Sequence, residues 1–274
     1  MKWRVVTSGI GSAAYNMAVD EAILKAHAAG KVPPTIRFYG WNPPAVSLGY
    51  FQKAQAEVDI SACQRRGIAV VRRLTGGRAV LHDHEFTYSI VVSEKQPLIP
   101  PTITASYRFF CQGLLAGLET LGIAAEMSVP VAAYGQSKRR PASAACFDAP
   151  SHYEITHHGR KLIGSAQVRK DGVILQHGSL LLRFVPGQVA SLLNLPSDEA
   201  RDLVAGMLAR RATSLYDAAR REVSWQEACK AMQAAFGPAL GVELEPDGLC
   251  AEEQASVREL AAAKYSQDSW NLLR

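Results

Sequence analysis

Hydrophobic and polar positions follow two rhythms along this chain, and the change between them divides it. Up to about residue 185 short extended runs dominate. Residues 3–7, 35–41, 45–50, 69–74, 78–82 and 86–93 are rich in β-branched and aromatic side chains. They are broken by turn residues such as Asn42-Pro43-Pro44 and Gly76-Gly77, and read as strands. Further extended pieces fall at 144–147, 153–156, 161–167 and 173–182, with turns at His158-Gly159 and Lys170-Asp171-Gly172. Three helices interrupt them. The first, 13–28, has Ser12 as its cap and Gly30 beyond its end. The second covers 59–66. The third, 105–121, places Phe110, Leu114, Leu118 and Leu121 at three- and four-residue spacing. Residues 128–143, rich in Pro, Gly, Ser and Ala, read as a long loop. After Pro186 helical spacing takes over at 187–193, 198–211, 214–222, 225–236 and 251–264. The pattern predicts an α+β body over residues 1–185, with a helical C-terminal extension packed on it over residues 186–274.

Composition narrows the class. A chain of 274 residues with 48% hydrophobic and 20% charged positions is an ordinary folded protein, neither disordered nor fibrous. No apolar run reaches eighteen residues; the nearest, 109–118, contains Gln112 and stops at Glu119. Thr7, Ser8, Ser12 and Asn16 interrupt the first twenty residues, so no apolar core of a signal peptide is expected. The five cysteines, Cys63, Cys111, Cys146, Cys229 and Cys250, form no CxxC pair. Scattered thiols of odd number fit a reducing, cytoplasmic setting.

The net charge is +5, and its placement carries more than its size. Arg65, Arg66, Arg72, Arg73 and Arg78 lie within fourteen residues that hold no acid. Lys138-Arg139-Arg140 and Arg160-Lys161 extend the basic stretch, whereas Glu243, Glu245, Asp247, Glu252 and Glu253 make the C-terminal part acidic.

Three segments hold candidate chemistry. In the first, residues 72–82, the pair Gly76-Gly77 lets backbone N–H groups approach a ligand with no Cβ in the way. The flanking arginines suit an anionic or carbonyl-bearing ligand. Alone, a glycine hairpin with solvated arginines is the better account of the segment; five arginines with no acid nearby weigh toward an anionic visitor. In the second, residues 143–148, Cys146 ends a basic stretch and is flanked by small residues, and nearby cations favour a thiolate. Cys63, Cys111 and Cys229 fall in helical stretches and read as small core residues. In the third, residues 159–167, Lys161 follows a turn on a strand, with Gly164, Ser165 and Ala166 leaving a narrow surface beside it. Such a lysine is either an ordinary hairpin lysine or one that lowers a neighbouring thiol's pKa. His82, His84, His152, His157, His158 and His177 show no HExxH spacing, so no metal site is expected. His177 reads as a pocket-lining or structural residue. P-loop, GxGxxG and GxSxG signatures are absent.

Together these segments resemble the biotin/lipoate protein ligase and lipoyl transferase superfamily and, within it, the octanoyltransferases of the Gram-positive type. The likeness rests on Asn16-Met17-Ala18-Val19-Asp20-Glu21, on RRLTGGRAVLHD at 72–83, on SAACFDAPSHY at 143–153, on GRKLIGSAQVR at 159–169 and on GVILQHGSLL at 172–181. Lys264-Tyr265 and Trp270-Asn271 fit as well. The resemblance implies a mixed sheet flanked by helices. It implies octanoyl transfer from octanoyl-acyl carrier protein to a lysine of a lipoyl domain such as the glycine-cleavage H protein. It places the acyl-carrying cysteine at Cys146 and the lysine that lowers its pKa at Lys161. Arg72, Arg73, Thr75, Gly76, Gly77, Arg78, His82, Gly164, Ser165, Ala166, His177 and Gly178 are the implied substrate-binding residues. The family usually has Trp where this chain has His152, a change expected at the rim of the site. Thioester exchange needs no nucleotide, so no cofactor is expected, nor a membrane partner; a monomer is expected. Two readings stay open beside it: an ATP-dependent lipoate–protein ligase, which needs no nucleophilic thiol, and an amidotransferase that moves octanoyl between lipoyl domains. The arginine cluster also permits a nucleic-acid-binding module, although no helix-turn-helix, RRM or OB signature accompanies it.

Overall fold

The computed structural model describes residues 1–128 and 154–274. The chain opens with β1 (Lys2–Gly11), and the Ser12 side chain then caps α1 (Ala13–Ala28) by accepting the Tyr15 N–H. β2 (Thr35–Trp41), β3 (Ala45–Leu48), α2 (Ala54–Glu57) and α3 (Ile60–Arg65) follow. β4 (Ala69–Arg72), β5 (Val80–His82) and β6 (Glu85–Ser93) surround the paired-glycine loop. α4 (Ile103–Thr120) leads to β7 (Glu126–Ser128), and β8 (Glu154–His157), β9 (Arg160–Lys170) and β10 (Val173–Leu181) form a meander. The remaining elements are α5 (Pro186–Ala190), α6 (Asp198–Arg211), α7 (Leu215–Ala219), α8 (Trp225–Leu240), β11 (Glu243–Pro246), α9 (Ala251–Leu260), a π-helical turn (Ala261–Tyr265) and α10 (Asp268–Asn271).

The large sheet runs β11-β1-β2-β6-β10-β9-β8-β7, and a small one runs β4-β3-β5. β1 pairs parallel with both β2 and β11, whereas β2, β6, β10 and β9 pair antiparallel. The sheet is therefore mixed and the class α+β, as expected. Residues 243–246, to which the hydrophobic pattern assigns no element, form an edge strand. The segment is short and polar, and Pro246, which has no N–H to donate, is at home on an edge.

Period-two alternation separates the two faces of the large sheet. Ile36, Phe38, Phe86, Tyr88, Ile90, Ile174 and Leu180 face α4 and α8, where they meet Phe110, Leu114, Leu118, Met232 and Phe236. Each such large side chain contributes about 1.5–3 kcal/mol by leaving water. Gly113 on α4 makes room for α8, since a Cβ there would lie 2.5 Å from the Phe236 ring. On the other face stand the polar or small partners in the same strands: Arg37 and Tyr39 on β2, Thr87 and Ser89 on β6, His177 and Ser179 on β10. α1 covers this face, and its own buried positions include Asn16, Asp20 and Glu21. The C-terminal helices close over α1. Lys264 Nζ and Tyr265 OH both reach Glu21 Oε2 at 2.7 Å, and Arg4 forks onto Glu253 at 2.6 and 2.8 Å. A polar sheet face under a buried helix sets the stage for a site.

Candidate active site

The paired-glycine loop joins β4 to β5 and is held by its two arginines. Arg72 sits at 0% exposure and donates from Nη1 to the carbonyls of Gly49, Tyr50 and Gln52 at 2.9, 3.1 and 2.9 Å. Its Nε donates to the Trp270 carbonyl at 3.2 Å, and its own N–H to Asn271 Oδ1 at 3.0 Å. Arg72 thus ties residues 49–52 to α10. Arg73 clamps the loop itself. Its Nη1 donates to the Ser47 carbonyl and hydroxyl (2.7 and 3.0 Å), its Nη2 to the carbonyls of Gly76 and Arg78 (2.8 and 2.7 Å), and its Nε to Thr75 Oγ1 (3.1 Å). The carbonyls that gather around this guanidinium are the protein's own. Gly77 has φ +93°, and a Cβ there would come within 2.9 Å of Arg73 Nη2. Gly49 passes beneath it so closely that a Cβ would overlap the Gly77 carbonyl oxygen.

Beside this loop lies a cavity of about 240 Å³. Of the residues expected to bind substrate, Arg73, Gly77, Arg78, His82, Gly164, Ser165, Ala166, His177 and Gly178 line it; Arg72, Thr75 and Gly76 do not. Met17, Tyr39, Trp41, Ser47, Val80, Thr87 and Ser179 line it too, and the sequence reading gave none of them a role.

One wall is a buried hydrogen-bond network centred on Asp20. Its Oδ1 accepts from Arg37 Nη1 and Ser89 Oγ, both at 2.8 Å, and its Oδ2 accepts from Tyr39 OH at 2.9 Å. His177 Nδ1 faces Oδ2 at 3.4 Å, while His177 Nε2 lies 2.7 Å from Thr75 Oγ1. The Asp20 carboxylate can only accept, so the neutral ring carries its proton on Nδ1, toward Asp20, and Nε2 accepts from the Thr75 hydroxyl. Burial pushes the Asp20 pKa up, but the Arg37 charge and the His177 hydrogen bond outweigh it and hold the carboxyl below its ordinary value. Burial lowers the His177 pKa against the pull of Asp20, with Arg73 and His82 adding to the lowering, so the ring is neutral at pH 7. Thr75 therefore acts one bond behind the cavity wall.

Another wall is an aromatic stack. Trp41 lies on His82 with centroids 4.0 Å apart and planes 16° apart. His82 Nε2 is 2.8 Å from Ser47 Oγ, and His82 Nδ1 is 3.5 Å from Glu85 Oε2. Trp41 Nε1 donates to Thr87 Oγ1 at 2.8 Å, and Thr87 and Ser179 both donate to Glu85 Oε2 at 2.5 and 2.6 Å.

Lys161, 3% exposed, stands on β9 near the same end of the sheet. Its Nζ pairs with Glu154 Oε1 on β8 at 2.6 Å, a partner seven residues back that no local pattern singles out. The Thr213 N–H donates to the Lys161 carbonyl at 2.9 Å. Cys146 and His152 lie outside the described residues. Burial pushes the Cys63 and Cys111 thiols up to about 11 and about 12 and raises that of Cys229, so these three are protonated core residues at neutral pH. Cys250 caps α9, its N–H donating to Glu253 Oε2 at 2.8 Å. Among the described residues no three His, Cys, Asp or Glu side chains gather as a metal site, and no helix is long and apolar enough to cross a membrane.

Residues 12–237 match the family described as lipoyl protein ligase A/B catalytic domain. The chain is 51% identical over 269 residues to a protein of Kyrpidia tusciae named octanoyltransferase LipM, covering 98% of each chain. It is 48% identical over 273 residues to one of the same name from Geobacillus kaustophilus, covering 99% of this chain and 98% of that one. Among solved structures it is similar to a bipartite lipoate protein ligase from Thermoplasma acidophilum, with a TM-score of 0.82 and 27% identity, covering 100% of this chain and 98% of that one. By sequence and by fold, the chain belongs to the lipoyl protein ligase A/B catalytic-domain family and, within it, to the octanoyltransferases.

Proposed function

We propose that this chain is an octanoyl-[acyl carrier protein]:protein N-octanoyltransferase of lipoate biosynthesis, working in the cytoplasm as a monomer without a cofactor. The observation that carries the reading is full-length identity of 48–51% to proteins named octanoyltransferase LipM. Ligase likeness stands at 27% identity, with fold similarity across the whole chain. The cavity supports the reading, because small side chains at Gly77, Gly164 and Ala166 leave a narrow slot suited to a straight alkyl chain. Each methylene buried there is worth about 0.8 kcal/mol.

In this mechanism the Cys146 thiolate attacks the carbonyl of the octanoyl thioester. A new C–S bond forms, the old one breaks, and the carrier-protein sulfur leaves as its thiolate. The neutral amine of a lysine on a lipoyl domain, such as the glycine-cleavage H protein, then attacks the acyl-enzyme. An amide forms as the C–S bond to Cys146 breaks, and the Cys146 sulfur takes up the proton that the amine gives up. Lys161, buried beside Glu154, is the cation assigned to hold Cys146 ionised. Backbone N–H groups near Gly76-Gly77 or Gly164 are the oxyanion donors; losing one such donor typically costs about 10²–10³ in rate. Cys63, Cys111 and Cys229 are buried, protonated thiols and Cys250 is taken up as the cap of α9, which supports Cys146 as the carrier.

The test is transfer without nucleotide. Protein, octanoyl-acyl carrier protein and an unmodified lipoyl domain are mixed in the absence of ATP, and the domain is weighed by mass spectrometry. An octanoylated domain is the expected product. A domain modified only when ATP and a free fatty or lipoic acid are supplied would establish a ligase instead.

A further inference from the structure

Trp270 and Asn271 lie outside the lining of the acyl cavity, yet both side chains end on Arg72, the residue that leads into the paired-glycine loop. Arg72 closes β4, the outer strand of the small sheet. Main-chain groups alternate sides along a strand, and the Arg73 N–H already reaches the Leu48 carbonyl on β3 at 3.0 Å. The N–H and C=O of Arg72 therefore point off the sheet edge, where strand groups stand open unless something covers them. Asn271 Oδ1 accepts that N–H at 3.0 Å, and Trp270 Nε1 donates to that carbonyl at 2.9 Å. Two side chains thus take the place of a neighbouring strand, from 199 and 198 residues away in sequence. The pair is itself held. Asn271 Nδ2 donates to the Tyr265 carbonyl at 2.9 Å. Lys264 Nζ lies 3.9 Å from the centroid of the Trp270 ring while it pairs with Glu21 on α1.

We propose that Trp270 and Asn271 are positioning residues for the acyl slot: they fix the lead-in to the paired-glycine loop and so set how closely Gly77 stands to Ala166. The inference rests on the octanoyl-transfer reading of the cavity and adds what holds its width. The path between them is continuous. Arg72 Nη1 donates to the Gly49 carbonyl, Gly49 passes under the Gly77 carbonyl with no room for a Cβ, and Gly77 faces the Ala166 methyl. The Tyr50 N–H donates to the Thr75 carbonyl at 2.9 Å, and the Tyr50 ring lies 5.9 Å from that of Trp270, so the pair braces the loop at a second point. Ordinary packing of the last helix against the body is the competing account. Packing asks only for buried area, whereas here two hydrogen-bonding side chains meet the two main-chain groups of one residue. Asn271 is only 5% exposed, and a buried amide that misses its partners is costly, so this geometry is tightly held. A loosened slot loses contact with the far methylenes of an octanoyl chain and leaves a short chain almost untouched.

The test compares donors of two lengths. Trp270→Phe keeps a ring beside Tyr50 and Lys264 and removes the indole N–H; Asn271→Ala removes the acceptor for the Arg72 N–H. Each should lower kcat/KM for octanoyl-acyl carrier protein about ten-fold, the worth of roughly two buried methylenes, and that for the butanoyl donor less than about three-fold. Leu240→Ala, in the core under the other face of the large sheet, should lower the melting temperature and leave the ratio of the two donors unchanged. The unaltered protein supplies a second measurement. Charging it with octanoyl should move the Trp270 indole N–H signal in NMR, and charging it with butanoyl should leave that signal in place. Equal losses for both donors, an unchanged donor ratio in the folded variants, or a Trp270 signal indifferent to octanoyl would overturn the inference. The NMR comparison stands even if neither variant folds. A protein that takes up no octanoyl without ATP would sink the octanoyl-transfer reading itself; one that takes it up while the donor ratio stays fixed would sink only this inference.

Discussion

Replacing Ala166 with Leu tests whether the acyl chain occupies the cavity under the paired-glycine loop. Ala166 stands on β9, where it pairs with His177. It faces Gly77 across a narrow gap: an ideal Cβ on Gly77 would lie 3.9 Å from the Ala166 methyl. Leu adds three carbons to a cavity of about 240 Å³ and takes the place of about three methylenes of substrate. At ~0.8 kcal/mol each, the loss is about 2.4 kcal/mol, close to sixty-fold in kcat/KM for octanoyl-acyl carrier protein. A butanoyl donor does not extend that far and should lose less than about three-fold. The assay compares kcat/KM for the two donors in both proteins, with melting temperature as the check on folding. An equal loss for both donors, or no loss for octanoyl, would refute the placement of the chain.

Three further outcomes follow from the same geometry. Asp20→Asn leaves the Arg37 guanidinium buried without its carboxylate and should cost about 3–5 kcal/mol in urea unfolding at pH 7. Because the Asp20 carboxyl titrates below its ordinary 3.8 when folded, its stabilisation is present above that pH and is lost as pH falls through the folded value; the acid limb of the stability curve should therefore be shallower in Asp20→Asn. Gly49→Ala drives a Cβ into the Gly77 carbonyl and should destabilise by about 1–3 kcal/mol or more, read as a lower urea midpoint, together with slower acylation because the loop must move. Lys161→Ala should slow Cys146 acylation more at neutral than at high pH, and an unchanged pH–rate profile would remove Lys161 from thiol activation.

Much of the fold is legible because its elements are locally consistent. The Ser12 cap and Gly30 bound α1, and the spacing of Phe110, Leu114 and Leu118 marks the buried face of α4. Elements governed by distant partners are not legible. Glu243–Pro246 becomes a strand only because β1 offers an edge, and its sequence has no alternation to announce that. The cavity shows the same division. Gly77, Gly164 and Ala166 are visible as small residues beside charged ones. Asp20, Trp41 and Glu85 act through hydrogen bonds and stacking that span tens of residues, and no local pattern encodes these contacts. The arginines are the instructive case. Arg72 and Arg73 look in sequence like ligands for a visitor, but their carbonyl partners come from residues 47–52, 76–78 and 270 of the same chain.

The central claim is that octanoyl passes through Cys146. Intact-mass spectrometry of the protein mixed with octanoyl-acyl carrier protein and no ATP measures it directly. The account predicts one octanoyl adduct, released by hydroxylamine and absent from Cys146→Ala. An adduct that survives in Cys146→Ala, or none until ATP is added, would contradict it.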